Sequence, residues 1–211
     1  MYAQNRKDFD RYLTEQEERQ FFSAIKATMN KENVPGLLAT RDFYAFKIMR
    51  NTGLRVGTLV ALNVLDAKTA VKDKKFNLKK EVLKGKKHDT KIYCNEKARK
   101  AVRELLKVRR LLGYPLNDDS PLLMSRKGNR IAIRTVQDRV QHWREASGIN
   151  ANASPHWFRH TFAKRIIKNS TAADPQKVAQ VLLDHTDPRS TLIYTLPDKE
   201  EIAVTAEEVA A

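Results

Sequence analysis

The sequence predicts an α+β fold that is mainly α-helical, with one small antiparallel sheet. Three observations carry that prediction. Apolar residues recur at helical spacing over most of the chain, as in Phe21, Phe22, Ile25 and Met29. Caps and breakers punctuate those runs: Thr14 with Glu17, then Gly53, Gly113 and Gly148, and the pairs Asp174-Pro175 and Asp187-Pro188. Residues 63–94 lose the helical period and read as short strands. The 211 residues hold no internal repeat, no low-complexity tract and no clear linker, and suffice for a sizeable core.

Residues 1–13 are polar and mixed in charge, a lead-in. The capping box Thr14/Glu17 opens a helix over 14–30, which "NVPG" at 33–36 breaks. A second helix is expected over 38–50, with Gly53 as its C-cap, and Arg55 opens a short third one through "RVGTLVAL". "NVLDA", "KKFNL", "KEVLK" and "TKIYC" are expected strands, with "GKKHD" at 85–89 as the turn between the last two. A helix runs from Asn95 to Leu112, then "PLLMS" is a short buried run and "RKGNR" a basic turn. Further helices are expected over 134–147, from Pro155, after Asp174-Pro175, after Asp187-Pro188 and from Asp198, the last with Ile202, Ala206 and Val209 on one side.

Composition excludes several classes. With 41% hydrophobic and 31% charged residues the chain reads as globular rather than disordered. No apolar run approaches the roughly 18 residues of a membrane span, and residues 1–18 hold no signal-peptide core. Cys94 is the only cysteine, which excludes an internal disulfide and a cysteine zinc cluster and fits a reducing, cytoplasmic setting. The formal net charge is +15. Its excess concentrates between Lys68 and Arg110, where Lys72, Lys79, Lys80, Lys84, Lys91, Arg103 and Arg109 meet few acids. That is a footprint for a polyanion, nucleic acid first.

The chemistry concentrates near the C-terminal end, in "SPHWFRHTFA" at 154–163 and "LLDHTDPRSTLIYTL" at 182–196. Ser154 as N-cap and Pro155 at the first position start a helix on which His156 and Arg159, three apart, share a face. His185 follows, and Tyr194 stands nine residues after it. A guanidinium with five fixed donors, two imidazoles and a phenol suit a multi-oxygen anion such as a phosphodiester. His88 and His142 read as surface residues.

The order "TGLRVGTLVAL", a lysine-bearing hairpin, "HWFRHTFA" and "LLDHTDPRSTLIYT" resembles the catalytic domain of the tyrosine recombinase (phage integrase) family, from about residue 14 to 196. The resemblance implies that Arg55 and Arg159 clamp the scissile phosphate and that His156 and His185 assist. It implies Tyr194 as the nucleophile that forms a covalent 3′-phosphotyrosyl link. Lys86, with Lys87 as the alternative, is the expected hairpin lysine that protonates the 5′ leaving oxygen. No cofactor or metal is needed. The implied partners are double-stranded DNA and further copies of the chain in a dimeric or tetrameric synapse, with no membrane, in the cytoplasm at the nucleoid. Residues 197–211 resemble the family's terminal helix, which docks on a neighbouring protomer.

Two positions depart from the family pattern. The acidic residue often found three after the first arginine is Thr58 here, and the Gly favoured before the His/Trp position is Asp184, a residue that tolerates a left-handed backbone. The family's N-terminal core-binding domain has no counterpart in these residues, so the chain reads as a fragment or a short member, with weak, strongly salt-dependent DNA binding expected. The competing readings are a type IB topoisomerase, which shares clamp residues and nucleophile, and a DNA-binding module that has lost catalysis.

Overall fold

A computed structural model describes residues 12–30, 32–82, 88–149, 154–185, 187–197 and 199–210. The first helix, α1 (Glu15–Thr28), begins at the Thr14/Glu17 capping box, with Glu17 N donating to Thr14 Oγ1 and Thr14 N to the Glu17 carboxylate. The long α2 (Val34–Thr52) follows. "NVPG" is its start rather than a break: the Asn33 side chain caps Gly36 N and Pro35 sits in the first turn, where its missing N–H costs nothing. Gly53 ends α2 in the left-handed region, φ 67°. After it come α3 (Val56–Ala61) and α4 (Val64–Asp73).

Helix α4 corrects the expected strand "NVLDA". Asn63 N donates to Asp66 Oδ2 at 2.8 Å, which closes the first turn, and Ala67 and Ala70 are fully buried. Small residues at that spacing suit a helix face pressed onto its neighbours. The sheet has two strands, β1 (Lys75–Leu78) and β2 (Thr90–Tyr93), paired antiparallel with Phe76 opposite Ile92. The partner of "TKIYC" is therefore "KKFNL", while Lys80–Val82 of "KEVLK" forms a 3₁₀ turn. The expected turn residues 85–87 lie outside the described residues.

The rest is helical: α5 (Glu96–Leu111), α6 (Ile133–Ala146), α7 (His156–Asn169), α8 (Pro175–Leu182), the single turn α9 (Arg189–Leu192) and α10 (Lys199–Ala210). Tyr194 thus lies just past α9. At α7, Pro155 already has helical φ/ψ of −55°/−24°, and the Ser154 backbone carbonyl accepts from Trp157 N. The buried run Leu122–Met124 and the turn after it match the expectation for "PLLMS" and "RKGNR".

Helix α2 is the centre of the packing, in contact with α1, α5 and α7. Phe21, Phe46 and Phe158, from α1, α2 and α7, meet at ring centroids 5.5–5.7 Å apart. Each is essentially sealed from water, worth about 2–3 kcal/mol per ring. Buried Glu18 of α1 accepts from Arg50 of α2 and Arg165 of α7 and binds the three helices at their polar edge. The end of the lead-in is docked rather than loose. Leu13 is buried, its N–H donates to Thr161 Oγ1 at 3.1 Å, and Lys164 lies over the Tyr12 ring. Among the described residues no helix is long and apolar enough to cross a membrane.

Candidate active site

Packing of Trp157 and Phe158 into the core turns Arg159 of α7 inward, toward the ends of α2 and α8. Arg159 is 3% exposed, and its guanidinium donates from Nη1 to Gly53 O at 2.6 Å and from Nη2 to Leu183 O at 2.7 Å. Two backbone carbonyls thus aim the fork, and Arg159 acts electrostatically on Tyr194. Burial lowers the Arg159 pKa to about 10, and nearby Arg55 pushes it the same way; Tyr194 and Asp184 oppose. It stays charged at neutral pH.

Arg55 arrives by a different route. It precedes α3 two residues after the Gly53 turn, in extended backbone, with its side chain exposed. The turn needs glycine twice over: at φ 67° a Cβ would also stand 2.7 Å from Leu183 Cδ2 and from Phe162 Cδ1. One buried and one exposed arginine thus both act electrostatically on Tyr194.

Tyr194 completes it. The ring is 7% exposed and packs in a small cluster with Ala163 and Leu183, apart from the main core. His185 lies nearly parallel to it at 6.0 Å, and His160 meets it edge-on at 5.0 Å. Burial raises the Tyr194 pKa, against the pull of Arg159 and Arg55, so the phenol is protonated at neutral pH.

His185 is placed by the end of α8. His185 N donates to Gln180 O and Asp184 N to Val181 O, with Asp184 in the left-handed region at φ 52°. That is a Schellman cap with Asp where glycine usually stands, as its tolerance of this backbone allows. The imidazole is held by Thr191, whose Oγ1 is 2.9 Å from Nδ1 and whose side chain is fully buried.

Of the expected site residues, Arg55, Arg159, His185 and Tyr194 converge. His156 is exposed at the start of α7, one turn before Arg159. Lys86 and Lys87 lie outside the described residues. Thr58 is buried on α3. The sequence reading missed Thr191, His160 and the two carbonyl acceptors. A hydroxyl six residues after His185 and three before Tyr194 was the available signal for Thr191; a carbonyl leaves none.

The basic stretch also needs one correction. Arg109 belongs to the interior: it is 2% exposed and donates to Pro115 O at 2.8 Å and Leu122 O at 3.3 Å. Lys68, Lys79 and Arg103 pair with Asp118, Asp89 and Glu96, while Lys72, Lys80, Lys91, Lys97, Lys100 and Arg110 stand exposed.

A helical scaffold brings two arginines, a histidine and a buried tyrosine together, groups whose chemistry suits a multi-oxygen anion. The sequence matches the model of the phage integrase family over residues 11–201, and the chain belongs to that family. It is 31% identical over 179 residues to tyrosine recombinase XerC of Haemophilus influenzae (strain PittEE), which covers 81% of this chain and 57% of the relative. The chain therefore spans little more than half the length of such relatives. The fold is similar to the crystal structure of XerA recombinase, with TM-score 0.70 and 22% identity over 95% of this chain and 65% of that one. It is also similar to the XerH site-specific recombinase in a pre-cleavage complex with its difH substrate, with TM-score 0.64 and 21% identity over 92% of this chain and 52% of the other.

Proposed function

We propose that the chain is the catalytic domain of a site-specific DNA recombinase that cleaves and rejoins strands through a 3′-phosphotyrosyl intermediate on Tyr194. The observation that carries the reading is the convergence of Arg159, Arg55 and His185 on a buried tyrosine. Tyr194 Oη attacks the phosphorus, the P–O5′ bond breaks, and the phenolic proton passes to a histidine of the site. Arg55 and Arg159 stabilise charge on the non-bridging oxygens. With Nδ1 of His185 engaged by Thr191, contact with the phosphate falls to Nε2. His156 supports the same oxygens, and Lys86, or Lys87, protonates the 5′ oxygen. Attack by the 5′-hydroxyl of a second strand reverses the step and reseals the DNA.

The domain is read as 14–196, with 197–211 as a tail that docks on another copy of the chain on DNA, at the nucleoid. Two features support the docking. Helix α10 exposes Ile202, Val204 and Val209 beside its glutamates. A cavity of about 400 Å³ between α2, α7 and α8 presents Phe162, Ile166 and Leu182 with Arg50 and Arg165 at its edge. Apolar and acidic groups on one side thus meet apolar and basic groups on the other.

The test is covalent capture. The protein is incubated with a pool of nicked duplexes of randomised sequence, and DNA retained through a denaturing wash is sequenced. The expected result is a Tyr194-linked adduct on a defined sequence, absent with Tyr194→Phe. An adduct without sequence preference, with relaxation of supercoiled plasmid, would replace recombinase by topoisomerase. No adduct with any duplex would leave a binding module.

A further inference from the structure

The proposed reaction needs Tyr194 to point its oxygen at one phosphorus, and the backbone alone leaves that direction open. Tyr194 follows the single turn α9, where its N–H donates to Thr191 O at 3.0 Å. Its ring lies against α7. Ala163 and Ile167 of that helix belong to its apolar cluster, together with Leu183. His160, Ala163 and Ile167 stand at i, i+3 and i+7, so they form one stripe along α7. At the end of that stripe the half-buried His160 ring meets Tyr194 edge-on, with centroids 5.0 Å apart and planes at 84°. His185 stands nearly parallel to the phenol, at 19°, so the two imidazoles restrict it in different directions.

Aliphatic packing fills space without direction, whereas an edge-on aromatic pair has a preferred geometry set by the ring quadrupoles. His160 is also the neighbour of Arg159 on the same helix. We propose that His160 is a positioning residue for the nucleophile: its ring fixes the direction of the Tyr194 phenol relative to Arg159, so one turn of α7 sets both the phosphate clamp and the line of attack on it. The inference rests on the reading of Tyr194 as the nucleophile. It concerns the ring of His160 rather than its nitrogens, which distinguishes it from His156 and His185, assigned above to the phosphate. The attacking oxygen has to be aligned with the bond that breaks, and a displacement of about 1 Å costs about 10²-fold in rate.

Two variants separate ring from nitrogen. His160→Ala removes the ring, and His160→Phe keeps an aromatic edge with no nitrogen to hold or accept a proton. Tyr194 adduct formation is measured in single turnover on a captured duplex at saturating concentration, with DNA affinity measured alongside. The expected result is adduct formation slowed roughly tenfold or more by His160→Ala. His160→Phe stays within about threefold of the parent, and DNA affinity is unchanged in both. Equal loss in the two variants makes a nitrogen the needed group and overturns positioning by the ring. A parent rate in His160→Ala overturns it outright. No adduct in the parent protein is instead a failure of the Tyr194 reading, and the positioning role falls with it.

A bypass shows whether His160 acts through the phenol. In Tyr194→Phe, hydrogen peroxide is supplied as an external nucleophile: a P–O bond forms to the hydroperoxide oxygen, the P–O5′ bond breaks, and the 5′ oxygen takes up the proton that peroxide gives up. That cleavage uses the clamp without the phenol, so adding His160→Ala must leave its rate within about twofold. A loss as large as in the tyrosine-bearing protein places His160 on the clamp and overturns the proposal. Nitration of Tyr194 by tetranitromethane, read by mass spectrometry without DNA, tests the contact apart from catalysis. It must quicken in His160→Ala and return to the parent rate in His160→Phe, and equal nitration in all three proteins refutes the contact.

Discussion

Gly53→Ala perturbs fold and site at one atom, and its cost can be worked from two separate sources. At φ 67° an alanine pays the left-handed penalty of about 1–2 kcal/mol. Its Cβ would also stand 2.7 Å from Leu183 Cδ2 and Phe162 Cδ1, closer than van der Waals contact, and forcing such a contact apart costs about 1–3 kcal/mol. Together they reach about 2–5 kcal/mol. For a domain of this size that is a drop in Tm of roughly 4–20 °C, from about 2–4 °C per kcal/mol. Gly113→Ala is the internal control: its φ is 75°, but nothing lies within 4 Å of the added Cβ, so only the backbone share applies. Thermal and urea unfolding of both variants therefore resolve the two contributions. Because Gly53 O accepts from Arg159, Gly53→Ala must also slow Tyr194 adduct formation more than Gly113→Ala does. Equal Tm losses in the two variants would refute the close approach of Phe162 and Leu183 to the turn.

Arg159→Lys strips a planar fork from two carbonyls and offers one flexible ammonium instead. Unfolding free energy should fall by about 2–4 kcal/mol in urea, and adduct formation by about 10²-fold or more. Thr191→Val removes the partner of His185 Nδ1 with little change of volume; single-turnover cleavage should slow about tenfold or more and its pH profile shift, with stability altered by only about 1 kcal/mol. Lys47, over the Phe22 ring at 3.6 Å, has its pKa lowered to about 8 by burial, with Arg50 acting the same way. The folded state releases that proton above about 8 while the unfolded chain keeps it to about 10.5, so stability contributed here rises with pH across that window. Lys47→Met should therefore flatten the rise, read by urea unfolding from neutral to alkaline pH, and stabilise the neutral protein by about 1 kcal/mol after allowance for partial exposure.

The caps made most helices legible. Thr14/Glu17, Asp174 and the left-handed Gly53 act through contacts only a few residues long, so sequence spacing alone contains them. The strand expected at "NVLDA" failed for the opposite reason. Its Asn63/Asp66 cap is as local as the others, but its burial depends on Ala67 and Ala70, on a helix that packs against α5, an element distant in sequence. Arg109 shows the same limit. In the sequence it is one basic residue among many; its burial is decided by the carbonyls of Pro115 and Leu122, which no charge count contains.

The site was legible as residue types and order, and illegible in what aims them. Arg159 is oriented by Gly53 O, more than a hundred residues away, and by Leu183 O, neither of which has a side-chain signature. That mode of support has a chemical consequence. Carbonyl dipoles fix the guanidinium without neutralising it, and burial with a neighbouring arginine lowers its pKa, so the folded chain holds a concentrated positive charge at a cost. The Asp184 carboxylate offsets part of that cost. In the proposed reaction a phosphodiester between Arg55 and Arg159 would supply the negative charge that the protein's own groups leave uncompensated. Its transition state would place more of it on the non-bridging oxygens, so a partly compensated pair of arginines would favour binding in proportion to developing charge, the differential that catalysis requires.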